Sequence, residues 1–385
     1  MISKWKFLFR FLKPTYEKNQ TQEYAKRKIH SDLVQRDGDL INHWYVLCTA
    51  KELNSDKNKP IGRVLYDRAY VIFRNQLGKV TVLPDRCLHR NSLLSMEGRI
   101  KNGCLVCPYH GWEYNQNGQV VHIPSEGPET QVTRNLQLEL IPTIEQDGLI
   151  WIYPGTSEKM KDKIPPFRLP RFGETEWNHY VMITDFNNEA TNLAENFMDV
   201  PHTVYVHKGW FRDKKSQQVP MTVETKNGSV LVTYHQKEDQ FSFMARILLN
   251  PNGKPMRHTD QFIFPNMTKV EYYFGDKNGF IINSHISPIS KLKSRVYTYI
   301  AYRVPFIGKV VKPYVQYYTR QVIEQDVDIM INQGTSLALD QQTLFRSTPA
   351  DEVHMQIERL RYFGQMGERE KIDIHQNIKD IHFWI

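Results

Sequence analysis

Residues 85–112 decide the reading: Asp85-Arg86-Cys87-Leu88-His89-Arg90 at one end and Cys107-Pro108-Tyr109-His110-Gly111-Trp112 at the other. They reduce to C-x-H, 17 intervening residues, and C-x-x-H. Two thiolates and two imidazoles bind zinc or an iron–sulfur cluster. Zinc signatures usually pair Cys with Cys and His with His. Here each loop brings one of each. That suits a [2Fe–2S] cluster with one iron on two thiolates and the other on two imidazoles. The imidazoles raise its potential and fit it to passing single electrons. Pro108 and Gly111 suit tight loops whose N–H groups point at cluster sulfurs. Cys104 is an alternative ligand through Cys104-x-x-Cys107, but reads as a small buried hydrophobe. A structural zinc site is the competing interpretation.

Working outward, short β-type runs surround this pair. They are predicted at 43–47, 64–66, 69–74, 79–83, 104–106, 111–114, 120–122 and 149–153, with Asn117-Gly118 as a hairpin signal. This is the pattern of a small all-β domain. Pro154-Gly155, the charged run 158–163 and Pro165-Pro166 mark a boundary. Beyond it, helices are predicted over 187–200, 313–333 and 350–363, the last started by Thr348-Pro349-Ala350-Asp351. Strands are predicted at 219–225, 229–236, 240–249, 258–264, 267–274, 279–288 and 295–304. The expected fold class is α+β: an N-terminal all-β domain, then an antiparallel sheet with helices to one side. The expected division is a lead-in at 1–40, the cluster domain at 41–155 and a second domain at 156–385.

A second constellation lies at Asn192, Glu195, Asn196, Asp199, His202 and His207. At helical spacing, Asn192, Asn196 and Asp199 share one face, with Glu195 beside them. By itself this is an amphipathic helix with a solvated polar face. Pro201 ends it, and two histidines follow. Two imidazoles and one carboxylate on one face of an iron leave positions open for O2 and substrate. The carboxylate is expected from the helix over 313–333. There Asp326 falls amid Val322, Ile323, Ile329 and Met330, while Glu324 and Asp328 take the opposite side. A carboxylate centred on a buried face is costly unless it is paired or binds metal. The alternative is a structural salt bridge.

The first motif resembles the Rieske domain of Rieske non-haem iron oxygenases. The additional loop cysteine of respiratory Rieske proteins is missing, and Tyr109 stands in its place. The run from Asn192 to His207 resembles the family's mononuclear iron motif, and Glu324-Gln325-Asp326 its later ligand segment. The resemblance extends over about residues 40–335. It is nearest the α-only vanillate demethylase and pheophorbide oxygenase type, which His43-Trp44-Tyr45-Val46 also suggests. It implies a cluster on Cys87, His89, Cys107 and His110, and a mononuclear Fe(II) on His202, His207 and Asp326. It also implies that Asp199 links His202 to His110 of a neighbouring subunit in a homotrimer. Electrons would come from NAD(P)H through a ferredoxin or flavin reductase. The product would be a hydroxylated or demethylated organic compound. The rivals are a Rieske electron carrier without oxygenase activity and a zinc-stabilised interaction protein.

Composition excludes other classes. The chain has 385 residues, 40% hydrophobic and 24% charged, as in ordinary globular proteins. No apolar run reaches the ~18 residues of a membrane span. Its 50 Lys and Arg against 42 Asp and Glu give +8, which fits an acidic protein partner or an anionic surface. Without a long basic block, no nucleic-acid partner is expected. Four cysteines are too few for a secreted disulfide scaffold, and no secretory signal is evident, so a cytoplasmic setting is expected. In residues 1–14, Lys4, Lys6, Arg10 and Lys13 interleave with apolar side chains. That segment reads either as a weak membrane-surface anchor, placing the protein at a membrane periphery, or as an arm on the protein's own body.

Overall fold

The computed structural model describes residues 37–128, 131–132, 135–160, 166–207, 218–235, 250, 253–275, 278–304, 308–339 and 345–384. The basic segment 1–14 and the strand expected at 240–249 lie outside them.

The first half is built from short antiparallel strands. β1 (Tyr45–Thr49) is followed by the short helix α1 (Ala50–Leu53), which a Thr49/Glu52 capping box starts. Next come β2 (Ile61–Leu65), β3 (Arg68–Arg74) and β4 (Val80–Pro84), paired in that order. β5 (Arg99–Lys101), β6 (Cys104–Val106), β7 (Glu113–Tyr114) and β8 (Val120–His122) form a second sheet. β9 (Thr143–Gln146) and β10 (Leu149–Ile152) join β1 in a third. The Asn117-Gly118 turn lies between β7 and β8. Asn115 Oδ1 accepts the N–H groups of Asn117 and Gln119 there. Gly118 has φ 79, and a Cβ would lie 2.3 Å from the Leu138 carbonyl oxygen, so only glycine fits. Cys104 is half-buried rather than buried, which corrects the expectation that it packs as a core hydrophobe.

The second half is an eight-stranded antiparallel sheet with helices on one face. Its strands are β11 (Asn178–Phe186), β12 (Gln218–Lys226), β13 (Ser229–Tyr234), β14 (Met256–Ile263), β15 (Met267–Phe274), β16 (Asn278–Ser290), β17 (Lys293–Arg303) and β18 (Asn377–Trp384). Their order is β11-β17-β16-β15-β14-β13-β12-β18. β11, β18, β5 and β9 have no counterpart among the strands expected from sequence.

Alternation gives this sheet two apolar faces. One carries Val230, Val232, Phe262, Tyr272, Phe274 and Ile300 in the main core. The helices α2 (Ala190–Met198), α4 (Lys312–Leu339) and α5 (Glu352–Gln365) contribute to this core as well. Short α3 (Thr203–Val206) follows α2, and α6 (Arg369–Ile374) follows α5. The other face carries Ile281, Tyr297, Tyr299 and Ala301, which pack with Val46, Leu149 and Trp151 of β1 and β10. Ser287 Oγ donates to the Val46 carbonyl at 2.7 Å across this seam, and the Tyr66 N–H to Pro288 O at 2.8 Å. The two halves thus share an apolar seam tied by hydrogen bonds.

Candidate functional site

The loops after β4 and β6 follow the same backbone course. The Cys87 N–H donates to Ser92 O and the Asn91 N–H to Cys87 O. At equivalent places the Cys107 N–H donates to Trp112 O and the Gly111 N–H to Cys107 O. Asn91 and Gly111 both have positive φ, 56 and 73. Each loop therefore turns back four residues after its Cys, at Asn91 and Gly111, and leaves its Cys and His on the turn. Asp85 braces the first loop, its buried carboxylate accepting the N–H groups of Leu94 and Ser95 at 2.7 and 2.8 Å. Burial raises that carboxyl's pKa above its ordinary value, against these hydrogen bonds.

The two loops meet. The His89 and His110 rings lie 4.4 Å apart, and Trp112 stacks on His89 at 5.0 Å. Cys87 and Cys107 are both buried. Tyr114 Oη accepts the Leu88 N–H at 2.9 Å and shares a hydrogen bond with Cys87 Sγ at 3.1 Å. The Cys87 thiol is held below its ordinary value by Cys107 first, then by Tyr114 and the N–H groups of His89 and Arg90. Cys107 rises in turn, because the two sulfurs share one proton. Two buried sulfurs close enough to share one proton, one of them held below its ordinary value by N–H donors, fit sulfur ligands of an iron–sulfur cluster. His89 Nδ1 is buried with no hydrogen-bond partner among the described residues, as a ligand nitrogen would be. The motif flagged the cysteines and histidines. Tyr114 and Trp112 emerge only from the fold.

The second group gathers between α2, α3 and α4. His202 and His207 flank α3, and Asp326 sits on the buried side of α4. One ligand atom from each of His202, His207 and Asp326 lies within 4.8 Å of the others. His202 Nε2 and His207 Nε2 are 3.5 and 3.2 Å from Asp326 Oδ1. The opposite ring nitrogens explain this orientation. His207 Nδ1–H donates to Gln325 Oε1 at 2.9 Å, leaving the Nε2 lone pair for the site. His202 Nδ1 faces Asp199 Oδ2 at 3.5 Å. Asn196 Nδ2 donates to Asp326 Oδ1 at 3.0 Å.

Asn192 and Asn196 are buried, so this face of α2 is not the solvated one that the pattern alone suggests. Asp328 and Glu324 are exposed and stay outside the group. Ile329 is also exposed, so the apolar stripe around Asp326 is narrower than expected. The sequence pattern assigns Gln325 no role, and its place beside Asp326 in Glu324-Gln325-Asp326 is the one signal for it.

Burial works against charge here, but the pairing outweighs it. Burial lowers the His202 pKa, yet Asp199 and Asp326 bring it up to about 9. Burial raises the Asp326 pKa, but His202 and His207 hold it well below the carboxylate range. Two imidazole nitrogens and an ionised carboxylate oxygen converging from buried His207 and Asp326 and half-buried His202 fit a divalent iron.

Comparison with known proteins agrees with both halves. Residues 43–144 match the Rieske [2Fe-2S] domain, and residues 186–361 the vanillate O-demethylase oxygenase C-terminal domain. The chain thus carries a Rieske domain followed by an oxygenase C-terminal domain of the vanillate O-demethylase type, the arrangement of Rieske oxygenases. The C-terminal half argues against a bare electron carrier. The oxygenase component of dicamba O-demethylase from Stenotrophomonas maltophilia is 36% identical over 170 residues, 43% of this chain and 47% of that protein. Chloroplastic chlorophyllide a oxygenase from Chlamydomonas reinhardtii is 32% identical over 188 residues, 48% of this chain and 27% of that protein. The chain thus spans about half or less of the length of these curated relatives. Among solved structures, dicamba monooxygenase bound to 3,6-dichlorosalicylic acid aligns over 86% of this chain and 98% of its own, with TM-score 0.73 and 21% identity. NdmA of Pseudomonas putida CBB5, as a mutant with caffeine, aligns over 90% and 98%, with TM-score 0.72 and 20% identity. These two likenesses speak for the fold.

Proposed function

We propose that this protein is a Rieske-type oxygenase acting on an organic, hydrophobic or aromatic substrate, by hydroxylation or oxidative demethylation. The reading is carried by the convergence of His202 Nε2, His207 Nε2 and Asp326 Oδ1 in a chain that also brings two Cys/His loops together. In it, residues 41–155 form the cluster domain and 156–385 the catalytic domain. Cys87, His89, Cys107 and His110 hold a [2Fe–2S] cluster. His202, His207 and Asp326 hold a mononuclear Fe(II). When bound, the two groups supply single-electron transfer and O2 activation.

The chain's own residues set the stage for that chemistry. Gln325 accepts the His207 Nδ1–H and so leaves the His207 Nε2 lone pair for the metal, while Asp199 lies beside the Nδ1 of His202 and would hold its ring with Nε2 inward once iron displaces the Nε2 proton. Asn196 fixes the Asp326 carboxylate by a hydrogen bond to one oxygen, which restricts how that carboxylate can turn. Three protein ligands on one side leave the other side for substrate and O2. Electrons come from NAD(P)H through a ferredoxin or flavin reductase. His110 is exposed and Asp199 partly so, which supports contact between them across two copies in a homotrimer. Residues 1–14 remain a proposed weak membrane-surface contact. Among the described residues, no helix is long and apolar enough to cross a membrane.

The test is metal analysis of the purified chain followed by turnover under ¹⁸O2 with a surrogate reductase and a panel of methoxylated and unsubstituted aromatics. An oxygenase holds three irons and two sulfides per chain and labels its product. A carrier holds two irons, and a zinc protein is colourless. The bridging role is tested separately: Asp199→Ala keeps both metals and is reduced normally, but cluster reoxidation by O2 collapses. Reoxidation at the wild-type rate rules the bridge out.

A further inference from the structure

The sheet face turned toward the cluster half is not purely apolar. Along β16, Asn283 and His285 alternate in step with Ile281 and Ser287, which both pack against that half. Tyr299 of β17 stands directly opposite Asn283 in the ladder. The Trp151 indole of β10 meets the His285 ring edge-on, centroids 5.0 Å apart at 90°. These four side chains are at most 3% exposed. They form one contiguous group, since residues two apart on a strand face lie about 7 Å apart and directly opposed ones about 5 Å.

Five of their polar atoms have no hydrogen-bond partner among the described residues: His285 Nδ1 and Nε2, Trp151 Nε1, Tyr299 Oη and Asn283 Oδ1. Other polar groups of the same seam are paired. Ser287 Oγ donates to Val46 O, Tyr297 Oη to Leu47 O, and Asn283 Nδ2 to Thr268 O. Buried polar atoms are hydrogen-bonded as a rule, so five orphans side by side mark a place where a bridging group belongs. Their chemistry selects that group. Burial keeps the His285 imidazole neutral, pushed down to about 3, and it is the one cause. Burial also raises the Tyr299 phenol, with Asp147 and Glu174 adding to it, so the phenol keeps its proton. The group then offers donors from Tyr299, Trp151 and one His285 nitrogen, and acceptors from Asn283 and the other His285 nitrogen. None of these is charged, so an ion finds no compensation there. A small neutral molecule that both donates and accepts does.

We propose that the seam holds a buried water site centred on His285, where ordered water bridges Asn283 and Tyr299 of the sheet to Trp151 of the cluster half and so keys the two halves together. About two molecules suffice, at roughly three hydrogen bonds each. The site lies on the opposite face of the sheet from the core to which α2 and α4 contribute, and it does not depend on the oxygenase reading.

A high-resolution crystal structure of the purified protein reads the site directly. Water oxygens are expected within about 3.2 Å of both His285 ring nitrogens. A seam closed around His285 with no water density at either nitrogen overturns the proposal. In solution, the sign of a substitution separates a wet seam from a dry one. Removing an unpartnered polar ring from a dry seam stabilises the protein, whereas removing a ligand of bound water leaves Asn283, Tyr299 and Trp151 short of a partner. His285→Leu is therefore expected to lower the melting temperature. His285→Gln, which keeps a donor and an acceptor, is expected to recover most of the loss. The hydrogen-bond-sensitive Raman band of the Trp151 indole is isolated as the difference between wild type and Trp151→Phe. It is expected at the bonded frequency in the wild type and at the free frequency in His285→Leu. A His285→Leu protein that melts at or above the wild-type temperature, or a free-indole band already present in the wild type, overturns the site.

Discussion

Asp326 and Asp328 stand two residues apart on α4 with opposite surroundings: Asp326 faces two imidazoles and an amide, and Asp328 faces solvent. Helical arithmetic separates them in the sequence, because 100° per residue puts only one of them among apolar side chains. Asp326→Ala is expected to lower iron from three to two per chain while the cluster colour stays, and Asp328→Ala to change neither. Iron analysis beside the visible spectrum decides it. Gln325 was not legible in the same way, since a polar residue one step round the helix gains meaning only when His207 is placed against it. Gln325→Leu leaves the His207 Nδ1–H without its acceptor. A loss of mononuclear iron affinity of about 10- to 100-fold is expected, measured by competition with a chelator. Glu195 allows a pH test that needs no turnover. Its folded pKa is raised to about 8, above the ordinary Glu value, so the unfolded chain binds fewer protons between those pH values and stability falls as pH rises through that window. Glu195→Gln removes the penalty. It is expected to match wild type below about pH 5 and to exceed it by a few kcal/mol near pH 9 in denaturant titrations. An equal gain at both ends would contradict the raised pKa.

The long helix α4 owes its place to a close contact. Asn188 Nδ2 donates to Met330 O at 3.0 Å and to Gln333 Oε1 at 2.8 Å. Beside it, a Cβ on Gly334 would come 2.0 Å from the Asn187 carbonyl oxygen. Backbone cannot yield to that overlap locally, so Gly334→Ala pushes α4 away from the start of α2. A loss of about 2 kcal/mol in unfolding free energy is expected, with lowered mononuclear iron and an undisturbed cluster spectrum. Retained iron at full stability would show that the two helices are not keyed there. Elements with strong alternation or capping signals were legible from sequence. β3, β12 and β15 fall where expected, and the Thr348/Asp351 capping box forms ahead of α5. β5 has only three residues, too few for periodicity to register. β11 reads as mixed polar and apolar because it is only partly buried, and β18 has few buried positions because it lies at the sheet edge. α2 showed its polar stripe but not its burial, which comes from α4 and α5 closing over it.

At the scale of the molecule, the sheet divides into a middle and two rims. From β12 to β17 each strand pairs with the next in sequence, a meander of hairpins. The rims do not: β11 pairs with β17, and β12 with β18, so 178–186 meets 293–303 and 218–226 meets 377–384. The cluster half is local by comparison, although β1 and β10 bring residues near 45 and 151 together. His202, His207 and Asp326 all lie outside the meander. The histidines occupy the stretch between β11 and β12, and Asp326 the stretch between β17 and β18. Their separation implies a sequence of events in time. Nearby pairings form before distant ones, because closing a long loop costs more entropy and gains contacts only at the end. The hairpins of the central sheet should therefore set first, and the iron-binding pocket last. A chain caught midway would have most of its β-structure and no place to hold the metal. Pulse-labelled hydrogen exchange during refolding checks the order: amides of β13–β16 should gain protection before those of α2 and α4, and simultaneous protection would refute it.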